Sequence, residues 1–407
     1  MSWNKLLQTK EIVLGVSGGI AAYKAAALAS RLTQAGAVVS TILTEHATEF
    51  VTPLTFQTLT NRPAIVSTFA RDGKFEVEHV SLAERADAIV IAPATANVIA
   101  KAAAGIADDM LTTTLLAASC PKLICPSMNT GMYENPITQE NLARLQALGF
   151  LICPPAVGRL ACGTVGGGRL PEPETILEWI GLQIACQKDW AGKKVLVTAG
   201  PTQEAIDPVR ILTNHSTGKM GYAIARAAAW RGADVTLLTG PTTIPTPLGT
   251  TVLGINSAQE LFEATTELSS LQDAIFMTSA VADYRPAVVS AEKIKKKEDS
   301  FRIPMERTKD ILSELGAKKP TRQFLCGFSM ESSQLLERSR QKLLSKKADM
   351  IVANSIVQDG AGFGVDTNQV TLLLKDREIP LPQMEKDLLG HFILDAAVDW
   401  WKDGAQG

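Results

Sequence analysis

The sequence lacks the features that mark membrane-surface, membrane-spanning and nucleic-acid-binding proteins. Its 40 lysines and arginines nearly balance its 42 aspartates and glutamates, for a formal net charge of −2. There is therefore no basic excess with which to bind a polyanionic surface. The most apolar stretch (88–107) is interrupted by Pro93, Asn97 and Lys101, and it predicts a buried strand, a turn and a helix, not a membrane span. We expect neither a nucleic-acid partner nor a membrane.

Cysteine and histidine are scarce and are not spaced as metal ligands. No CxxC pair occurs among the cysteines, and no signal peptide precedes them; the cysteines are at positions 120, 125, 153, 162, 186 and 326. This pattern is typical of a reduced, cytoplasmic protein with free thiols. The four histidines, at positions 46, 79, 215 and 391, show no metal-ligand spacing. Any metal ligands remain unknown from the sequence.

Two halves of the chain repeat the order strand, turn, helix, strand. In the first half, a β-branched run (12–16) meets a Ser-Gly-Gly turn, an alanine-rich helix (about 20–35) and a second strand (about 38–43). From residue 193, KKVLVTAGPT, MGYAIARAAAWRGA and DVTLLTG repeat this order, with some twenty residues between the strand and its helix. Further strands alternate with helices in each half. The pattern predicts an α/β protein with two doubly wound, Rossmann-like parallel sheets.

A polar segment separates the two predicted domains. A predicted helix (174–186) ends in QKDWAGKK, which places the boundary near 186–192 and gives domains 1–190 and 191–407. The chain length suits about two or three domains. The segment 285–310, rich in lysine and glutamate, predicts an exposed excursion, and 370–382 predicts a hairpin followed by a closing helix.

Polar motifs follow the predicted strands of the first half, where parallel sheets bind their ligands. The turn Ser17-Gly18-Gly19, with the helix behind it, would suit a phosphate, although an ordinary strand–helix turn is the alternative. APATAN (92–97) and PSMNTGMYENP (126–136) follow two further strands. In the second of these, Asn129 is a neutral donor for a carboxylate or carbonyl, or simply a residue that stabilises a turn.

Two side chains of the first half are suited to proton transfer. His79 precedes a predicted helix (80–86), where a structural role is the alternative. Cys162 lies in GRLACGTVGGGRLPEP (158–173), which predicts a mobile, exposed glycine loop. A thiol with an ordinary pKa of about 8.5 is mostly protonated at neutral pH. Cys162 would therefore be able to act on a bound ligand as an acid or a nucleophile.

Groups that bind polyanions are concentrated in the second half. The stretch 198–221 combines small residues with Arg210, Asn214, Ser216 and Lys219. Asp283 follows a predicted strand, and the run KIKKK (293–297) comes soon after it. The run is either a solvated face or a phosphate-binding loop beside a nucleotide cleft.

Taken together, these motifs resemble one family over essentially the whole chain. The first half contributes VSGGIAAYK, the His79 segment, APATANVIAKAAAGIADDML, PSMNTGMY and LACGTVGGGRLPEP, and the second TAGPTQEAIDPVR, NHSTGKMG, AVADYRP and EKIKK. They resemble the bifunctional phosphopantothenoylcysteine decarboxylase and phosphopantothenate–cysteine ligase family of coenzyme A biosynthesis. The resemblance implies a flavodoxin-like (HFCD) flavoprotein fold followed by a nucleotide-binding ligase fold.

For the first domain, the resemblance implies an FMN-dependent decarboxylase that converts 4′-phosphopantothenoylcysteine to 4′-phosphopantetheine. The flavin would oxidise the thiol side of the substrate, so that the charge left by CO₂ delocalises toward sulfur. The implied FMN-binding residues are Ser17, Gly18, Gly19, Thr95 and Asn97. The implied catalytic residues are His79, Asn129, which would hold the substrate carboxylate, and Cys162, which would donate a proton from a flap that excludes water.

For the second domain, the resemblance implies that CTP activates 4′-phosphopantothenate as an acyl-cytidylate, which cysteine then converts to the amide. Such chemistry depends on positioning and charge neutralisation, usually with Mg²⁺. Asn214 and Lys293 would be catalytic, and Arg210 would lie near the substrate. The implied CTP-binding residues are Met277, Thr278, Ser279, Asp283, Lys293, Lys309, Asp310, Ile311, Leu312, Phe328, Lys342 and Lys346. The ligase product would be the decarboxylase substrate.

Three positions depart from the family pattern. In RTKDIL (307–312), Lys309 leaves the backbone geometry of the turn open, although Asp310 is kept. Met330 would reshape the base pocket, and Leu170 replaces a frequent methionine, which is a mild apolar exchange. The family forms ligase dimers and decarboxylase trimers, so we expect a homo-oligomer, which could be as large as a dodecamer.

Two other functions stay open at the level of sequence. One is a flavin-dependent decarboxylase of a peptide or another thiol acid, with the C-terminal half as a passenger; Asn214, Asp283 and Lys293 argue against a passenger. The other is a regulatory flavin-binding subunit. The presence of both Asn129 and Cys162, together with the histidine at position 79, argues for an enzyme.

Overall fold

Parallel strands form the centre of both halves of the chain. The computed structural model describes residues 7–68, 77–159, 165–185, 187–295, 302–331, 334–355 and 364–404. The chain divides into two units between residues 186 and 187. Each unit contains its own largely parallel sheet, so the predicted fold class is confirmed.

The strands of the N-terminal unit are β1 (Glu11–Val16), β2 (Val38–Leu43), β3 (Ala64–Ile65), β4 (Ala88–Ala94), β5 (Lys122–Pro126), β6 (Leu151–Ile152), β7 (Ala156–Arg159) and β8 (Val165–Arg169). The first six form a parallel sheet in the order β3-β2-β1-β4-β5-β6, which is a doubly wound arrangement. β4, AIVIAPA, is buried at every position, as expected for a central parallel strand covered on both faces.

The helices of this unit are α1 (Ala22–Gln34), α2 (Pro53–Thr60), α3 (Glu78–Arg85), α4 (Ala96–Ala104), α5 (Met110–Ala117), α6 (Thr130–Tyr133), α7 (Pro136–Ala147) and α8 (Pro173–Ile180). A 3₁₀ turn occupies Glu45–Glu49, and a π-helical turn follows α8 at Gly181–Ala185. Asp109 begins α5 as its N-cap, accepting the backbone N–H of Thr112 at 2.8 Å. The apolar stretch 88–107 contains β4 and α4, so it is a strand followed by a helix, as predicted.

The segment predicted as a glycine loop is partly a β-hairpin. β7 and β8 pair in antiparallel fashion, with Gly158 opposite Gly166. Residues 160–164, which include Cys162, lie outside the described residues. The prediction of a loop was therefore wrong for the residues on either side of Cys162, because their glycines are used in strand packing.

The strands of the C-terminal unit are β9 (Lys194–Ala199), β10 (Gln203–Ala205), β11 (Ile211–Thr213), β12 (Asp234–Thr239), β13 (Thr250–Gly254), β14 (Ala274–Met277), β15 (Tyr284–Pro286), β16 (Met305–Arg307), β17 (Phe324–Glu331), β18 (Met350–Ser355), β19 (Thr367–Asn368), β20 (Val370–Leu374), β21 (Glu378–Pro380) and β22 (Met384–Glu385). The main sheet has the order β13-β12-β9-β14-β17-β18-β20-β21, and β20 and β21 are its antiparallel strands. The predicted hairpin at 370–382 is confirmed.

The helices of the C-terminal unit are α9 (Lys219–Trp230), α10 (Ala258–Ser269), α11 (Ile311–Lys318), α12 (Leu335–Ser345) and α13 (Lys386–Gly404). The closing helix α13 packs on α9, where Arg226 pairs with Asp387 at 2.5 Å. Burial, reinforced by the charge of Arg231, lowers the pKa of His391 to about 4, so this histidine is neutral at physiological pH. Neither α13 nor any other helix of the described ranges is long and apolar enough to cross a membrane.

Gly316 lets α11 approach the chain that follows α12. A Cβ atom at this position would lie 1.8 Å from the carbonyl oxygen of Lys346. We expect Gly316→Ala to lower the free energy of unfolding by about 1–3 kcal/mol, the usual cost of overpacking. This cost outweighs the gain of about 1 kcal/mol that alanine has over glycine inside a helix. Thermal unfolding of the C-terminal unit measures the change.

Gly254→Ala is the matched control, because a Cβ atom there meets nothing within 4 Å. Its melting temperature should stay close to that of the unmodified protein. Equal shifts for the two variants would contradict the assignment of a close approach at Gly316.

Candidate active sites

A cavity of about 1020 Å³ opens at the carboxyl edge of the N-terminal sheet. It is bounded by the turns that follow β1, β2, β4 and β5, since parallel strands bring their carboxyl ends to one edge. Among its lining residues are the sequence-predicted Ser17, Gly18, Gly19, Thr95, Asn97, Asn129 and Leu170. One cavity therefore brings together the residues that the resemblance assigns to FMN and to the substrate carboxylate.

Ser17 connects two of the turns that bound this cavity. Its buried hydroxyl donates to the carbonyl oxygen of Pro93 at 2.8 Å and accepts the backbone N–H of Thr95 at 3.0 Å. The hydroxyl proton is therefore engaged within the protein. The resemblance assigns Ser17 to FMN binding, and in the structure its hydroxyl also connects the turns after β1 and β4.

Asn129 lies on a turn that β8 supports from both sides. Its side-chain oxygen accepts the N–H of Gly131 at 2.9 Å and caps α6. The residues on either side of Asn129 bond to β8. Met128 donates its N–H to the carbonyl oxygen of Gly168 at 2.9 Å, and Thr130 donates its hydroxyl to the carbonyl oxygen of Gly167 at 2.9 Å. Gly168 has a φ of +117°, and a Cβ atom there would lie 2.3 Å from the Met128 oxygen. This glycine permits close packing against the Asn129 turn.

Lys24 anchors the chain that leaves β8, a role that the sequence did not reveal. Its ammonium donates to a carboxylate oxygen of Glu172 at 2.8 Å and to the carbonyl of Leu170 at 3.4 Å. The hydrogen bond from Lys24 lowers the pKa of the Glu172 carboxyl. Lys24 is one of the buried residues of the alanine-rich α1, and its burial is seen only in the structure.

The remaining predicted residues of the first domain are not brought to this cavity within the described residues. His79 is the second residue of α3 and is half-buried, and it is not one of the residues that line the cavity. Cys162 lies outside the described residues. Their roles stay predictions.

A second cavity, of about 930 Å³, opens at the carboxyl edge of the C-terminal sheet. Most of the predicted nucleotide and substrate residues line it, namely Asn214, Met277, Thr278, Ser279, Asp283, Lys309, Asp310, Ile311, Leu312, Phe328, Lys342 and Lys346. Met330 lines it too. These residues come from turns after several different strands, and the sheet brings them together.

The charge of the second cavity is strongly positive. Its basic lining residues are Lys219, Arg307, Lys309, Lys342, Lys346 and Lys386, and its acidic ones are Asp283 and Asp310. Six cationic groups against two carboxylates leave an excess of four positive charges along the described lining. Such an excess favours a polyanionic ligand.

Asp310 shapes the turn that the sequence left open. Its side chain accepts the N–H of Ser313 at 2.9 Å and caps α11, and its other oxygen pairs with Lys346. Burial opposes its ionisation, but the Lys346 hydrogen bond and the Ser313 N–H lower the pKa of Asp310. Lys309, just before it, places its ammonium 4.3 Å from the ring centre of Phe262. The turn is therefore an ordinary helix N-cap.

Two residues that line the second cavity have a buried polar atom without a hydrogen-bond partner in the described part of the chain. These atoms are the hydroxyl oxygen of Ser279 and the side-chain oxygen of Asn354. The backbone of the Ser279 turn is fixed, because the N–H groups of Thr278 and Ser279 both donate to the Thr198 hydroxyl at 3.1 Å. Buried polar atoms are normally paired, so these two are exceptions among the lining residues.

Comparison with known proteins covers both units. The sequence model of the family described as Flavoprotein matches residues 2–184, and that of the DNA/pantothenate metabolism flavoprotein C-terminal domain matches 190–400. The coenzyme A biosynthesis bifunctional protein CoaBC of Bacillus subtilis (strain 168) is 47% identical over 382 residues, covering 92% of this chain and 94% of the relative. The protein of that name from Escherichia coli (strain K12) is 42% identical over 96% of this chain and 97% of its own.

The chain belongs to the coenzyme A biosynthesis bifunctional protein family. It is a bifunctional enzyme that combines a decarboxylase with a ligase, as the resemblance predicted, and its substrates are small molecules. A solved C-terminal domain of a CoaBC protein is 41% identical and covers 52% of this chain and 97% of its own length, with a TM-score of 0.45. The relatives align along both halves, which argues against a passenger C-terminal half.

Two residues that the family resemblance assigned to the ligase do not line its cavity. Lys293 is exposed, and Arg210 turns to Asp207 and to the carbonyl of Ile294, the latter at 3.2 Å. Asp207 holds these two segments together, because it accepts the N–H groups of Val209 and Arg210 at 2.8 Å and of Ile294 at 3.1 Å. No local sequence feature singles out Asp207.

The charge of Asp207 persists over the working pH range. Burial disfavours it, but the N–H donors of Val209, Ile294 and Arg210, together with the Arg210 side chain, lower the pKa of Asp207 to about 2. A carboxyl whose folded-state pKa is lowered stabilises the fold above its unfolded pKa of about 3.9, and loses this effect as the pH falls through the folded value. At neutral pH the anchor is fully ionised.

Asp207→Asn keeps the size of this anchor and removes its charge. We expect kcat/KM of the ligase reaction to fall by roughly 10- to 100-fold, because the segment that carries Lys293, which the resemblance assigns to the ligase, loses its position. Decarboxylation should stay unchanged. Both reactions are measured on the full chain at several neutral pH values. Asp234→Asn, at an exposed position at the start of β12, is the control; an equal ligase loss in both variants would count against Asp207 as the anchor.

Proposed function

We propose that the N-terminal unit is an FMN-dependent decarboxylase of 4′-phosphopantothenoylcysteine, and that the C-terminal unit is a CTP-dependent ligase that joins 4′-phosphopantothenate to cysteine. One observation carries this proposal: each cavity gathers, at the edge of its own sheet, residues assigned to one of the two reactions. The product of the C-terminal unit is then the substrate of the N-terminal unit.

The first cavity has the chemistry that FMN requires. The turn Ser17-Gly18-Gly19 lies before α1, where backbone N–H groups suit a phosphate. Apolar side chains for a flavin ring come from Val98, Met128, Met132 and Leu170. Bound FMN would take electrons from the thiol side of the substrate and return them after CO₂ has left.

The protein's own groups would orient the substrate and supply the proton. The side-chain oxygen of Asn129 accepts the Gly131 N–H, and the side-chain amide of Asn129 would contact the substrate carboxylate. Cys162 would donate the proton that completes 4′-phosphopantetheine. Because His79 does not line the cavity of its own subunit, we propose a homo-oligomer in which His79 acts at a neighbouring copy.

In the second cavity, the substrate carboxylate would attack the α-phosphorus of CTP and pyrophosphate would leave. The amine of cysteine would then attack the activated carbonyl and release CMP. Asn214, whose amide nitrogen donates to the carbonyl of Ala280 at 3.0 Å, is held where it would contact the acyl-cytidylate. Excess positive charge along the lining would neutralise the phosphates.

Mg²⁺ would enter this cavity with the nucleotide. The described residues contain no group of three or more His, Cys, Asp or Glu side chains placed to hold a metal ion. Mg²⁺ usually keeps several waters and binds through phosphates and one or two carboxylates, and Asp283 would supply a carboxylate oxygen.

The described cysteines 120, 125, 153 and 326 are free thiols, which supports the proposal that the enzyme acts in the cytoplasm.

Nucleotide dependence tests the ligase assignment. The purified protein, with 4′-phosphopantothenate, cysteine and Mg²⁺, should release pyrophosphate with CTP and far less with ATP, and 4′-phosphopantetheine should follow. Pyrophosphate and coupled product are measured in parallel. Absence of pyrophosphate with every nucleotide would overturn the ligase proposal, and an equal rate with ATP would overturn its CTP dependence.

Cys162→Ser separates the two halves of the decarboxylase reaction. Without the thiol proton donor, the variant should still release CO₂ from 4′-phosphopantothenoylcysteine but accumulate an oxidised, decarboxylated intermediate. CO₂ and 4′-phosphopantetheine are quantified in the same sample, with the unmodified protein as reference. A normal yield of 4′-phosphopantetheine would remove Cys162 from the mechanism.

A further inference from the structure

Lys386 is a basic residue of the second cavity to which neither the sequence motifs nor the proposed mechanism gives a role. It is the first residue of α13 and lines the cavity. Of the basic residues along the described lining, it alone is buried, with 6% of its surface exposed. An ammonium is costly to bury unless other groups compensate for its lost hydration. Its placement therefore calls for an explanation.

Lys386 shares one short segment of chain with a second ammonium. Its Nζ donates to the carbonyl of Val365 at 2.5 Å. Lys219 donates to the carbonyl of Gly364 at 2.8 Å and pairs with the carboxylate of Asp366, also at 2.8 Å. Among the described residues of this segment, Asp366 is the one carboxylate that attracts both ammonium groups, which leaves them with an excess of positive charge.

The start of α9 adds to this positive charge. The helix runs for 12 residues from Lys219, so its N-terminus carries a partial positive charge. Gly218, at its N-cap, has a φ of +81°, and no side chain of the described residues caps it. Elsewhere along the lining, Lys346 pairs with Asp310, and Lys342 donates to the carbonyl of Phe328 at 2.8 Å.

We propose that Lys386, together with Lys219, binds the β- and γ-phosphates of the nucleoside triphosphate and stabilises them as they leave as pyrophosphate. This inference rests on the proposed ligase function. In the step concerned, a bond forms between the substrate carboxylate oxygen and the α-phosphorus. The bond from the α-phosphorus to the bridging oxygen breaks, and its electron pair stays on pyrophosphate. The two ammonium groups balance that charge without giving up a proton.

The titration of Lys386 gives this role a pH signature. Burial, followed by repulsion from Lys219, lowers the pKa of Lys386 to about 8, against the opposing effect of Asp366. On its own helix, Asp387 is engaged with Arg226, and Glu385 precedes it in β22. Below this pKa Lys386 is charged, and above it Lys386 is neutral. We therefore expect kcat/KM for CTP to decline as the pH rises through about 8.

Binding of two simple probes tests the assignment on the full chain. Lys386→Met should weaken the binding of pyrophosphate with Mg²⁺ by at least about tenfold, since a desolvated ion contact is lost. It should leave the binding of CMP, which lacks the β- and γ-phosphates, unchanged. Calorimetric titration measures both. Equal weakening of the two probes, or no weakening of either, would overturn the proposal.

Kinetics of pyrophosphate release provide the second measurement. Lys386→Met should lower kcat/KM for CTP by about 10²-fold, a loss typical of removing one charge-stabilising group, and should lack the decline near pH 8. Lys386→Arg should retain most of the activity and also lack that decline, because arginine stays protonated. An unchanged pH profile in both variants would contradict the assignment.

Two controls separate this inference from its alternatives. Lys402→Met changes an exposed lysine on the same helix and should behave like the unmodified protein in both experiments. Decarboxylation of supplied 4′-phosphopantothenoylcysteine should be unaffected by Lys386→Met. An unmodified protein that forms no pyrophosphate would overturn the ligase proposal itself, whereas a ligase indifferent to Lys386→Met would overturn this inference alone.

Discussion

Both cavities depend on one constraint, the register of parallel strands that brings distant segments of chain to the same edge of a sheet. In the N-terminal unit, β1 lies between β2 and β4, and in the C-terminal unit β9 lies between β12 and β14. In each case the strand order reverses beside the first strand, which is where open α/β sheets bind ligands. The turns that meet there are joined by comparable contacts. Thr95 donates to the Ser17 hydroxyl, 78 residues away, and Thr278 to the Thr198 hydroxyl, 80 residues away.

The same architecture serves two kinds of chemistry because the linings differ in charge. The first cavity balances Lys24, Lys101, Arg159 and Arg169 against Glu45, Asp108 and Asp109, and adds apolar methionine and leucine side chains. Such a lining suits a flavin ring and a step in which CO₂ departs. The second has a large positive excess, which suits the transfer of a nucleotidyl group and the departure of pyrophosphate.

Local sequence patterns predicted the central strands of both sheets, and the family resemblance supplied most of the cavity residues. Strand–turn–helix motifs such as the one around Ser17 are read from neighbours in sequence, and the resemblance supplied their chemistry. The hairpin β7–β8 was missed because its glycines indicated a loop, whereas they serve close packing against the Asn129 turn.

The residues that the sequence did not reveal act through contacts between distant parts of the chain. Lys24 meets Glu172 from 148 residues away, and Asp207 meets Ile294 from 87 residues away. Lys386 shares a segment of backbone with Lys219, far earlier in the chain. No local pattern distinguishes such residues from other lysines and aspartates, because their partners are largely backbone groups that any sequence provides.

The fate of the cysteine carboxyl carbon, followed with an isotope label, is the most direct test that one chain performs both reactions in sequence. With carboxyl-labelled cysteine, 4′-phosphopantothenate, Mg²⁺ and CTP, the purified protein should release one labelled CO₂ for each pyrophosphate. It should release none when the nucleotide or 4′-phosphopantothenate is omitted. Labelled CO₂ from cysteine alone, or steady pyrophosphate formation without any CO₂, would contradict the coupling of the two sites.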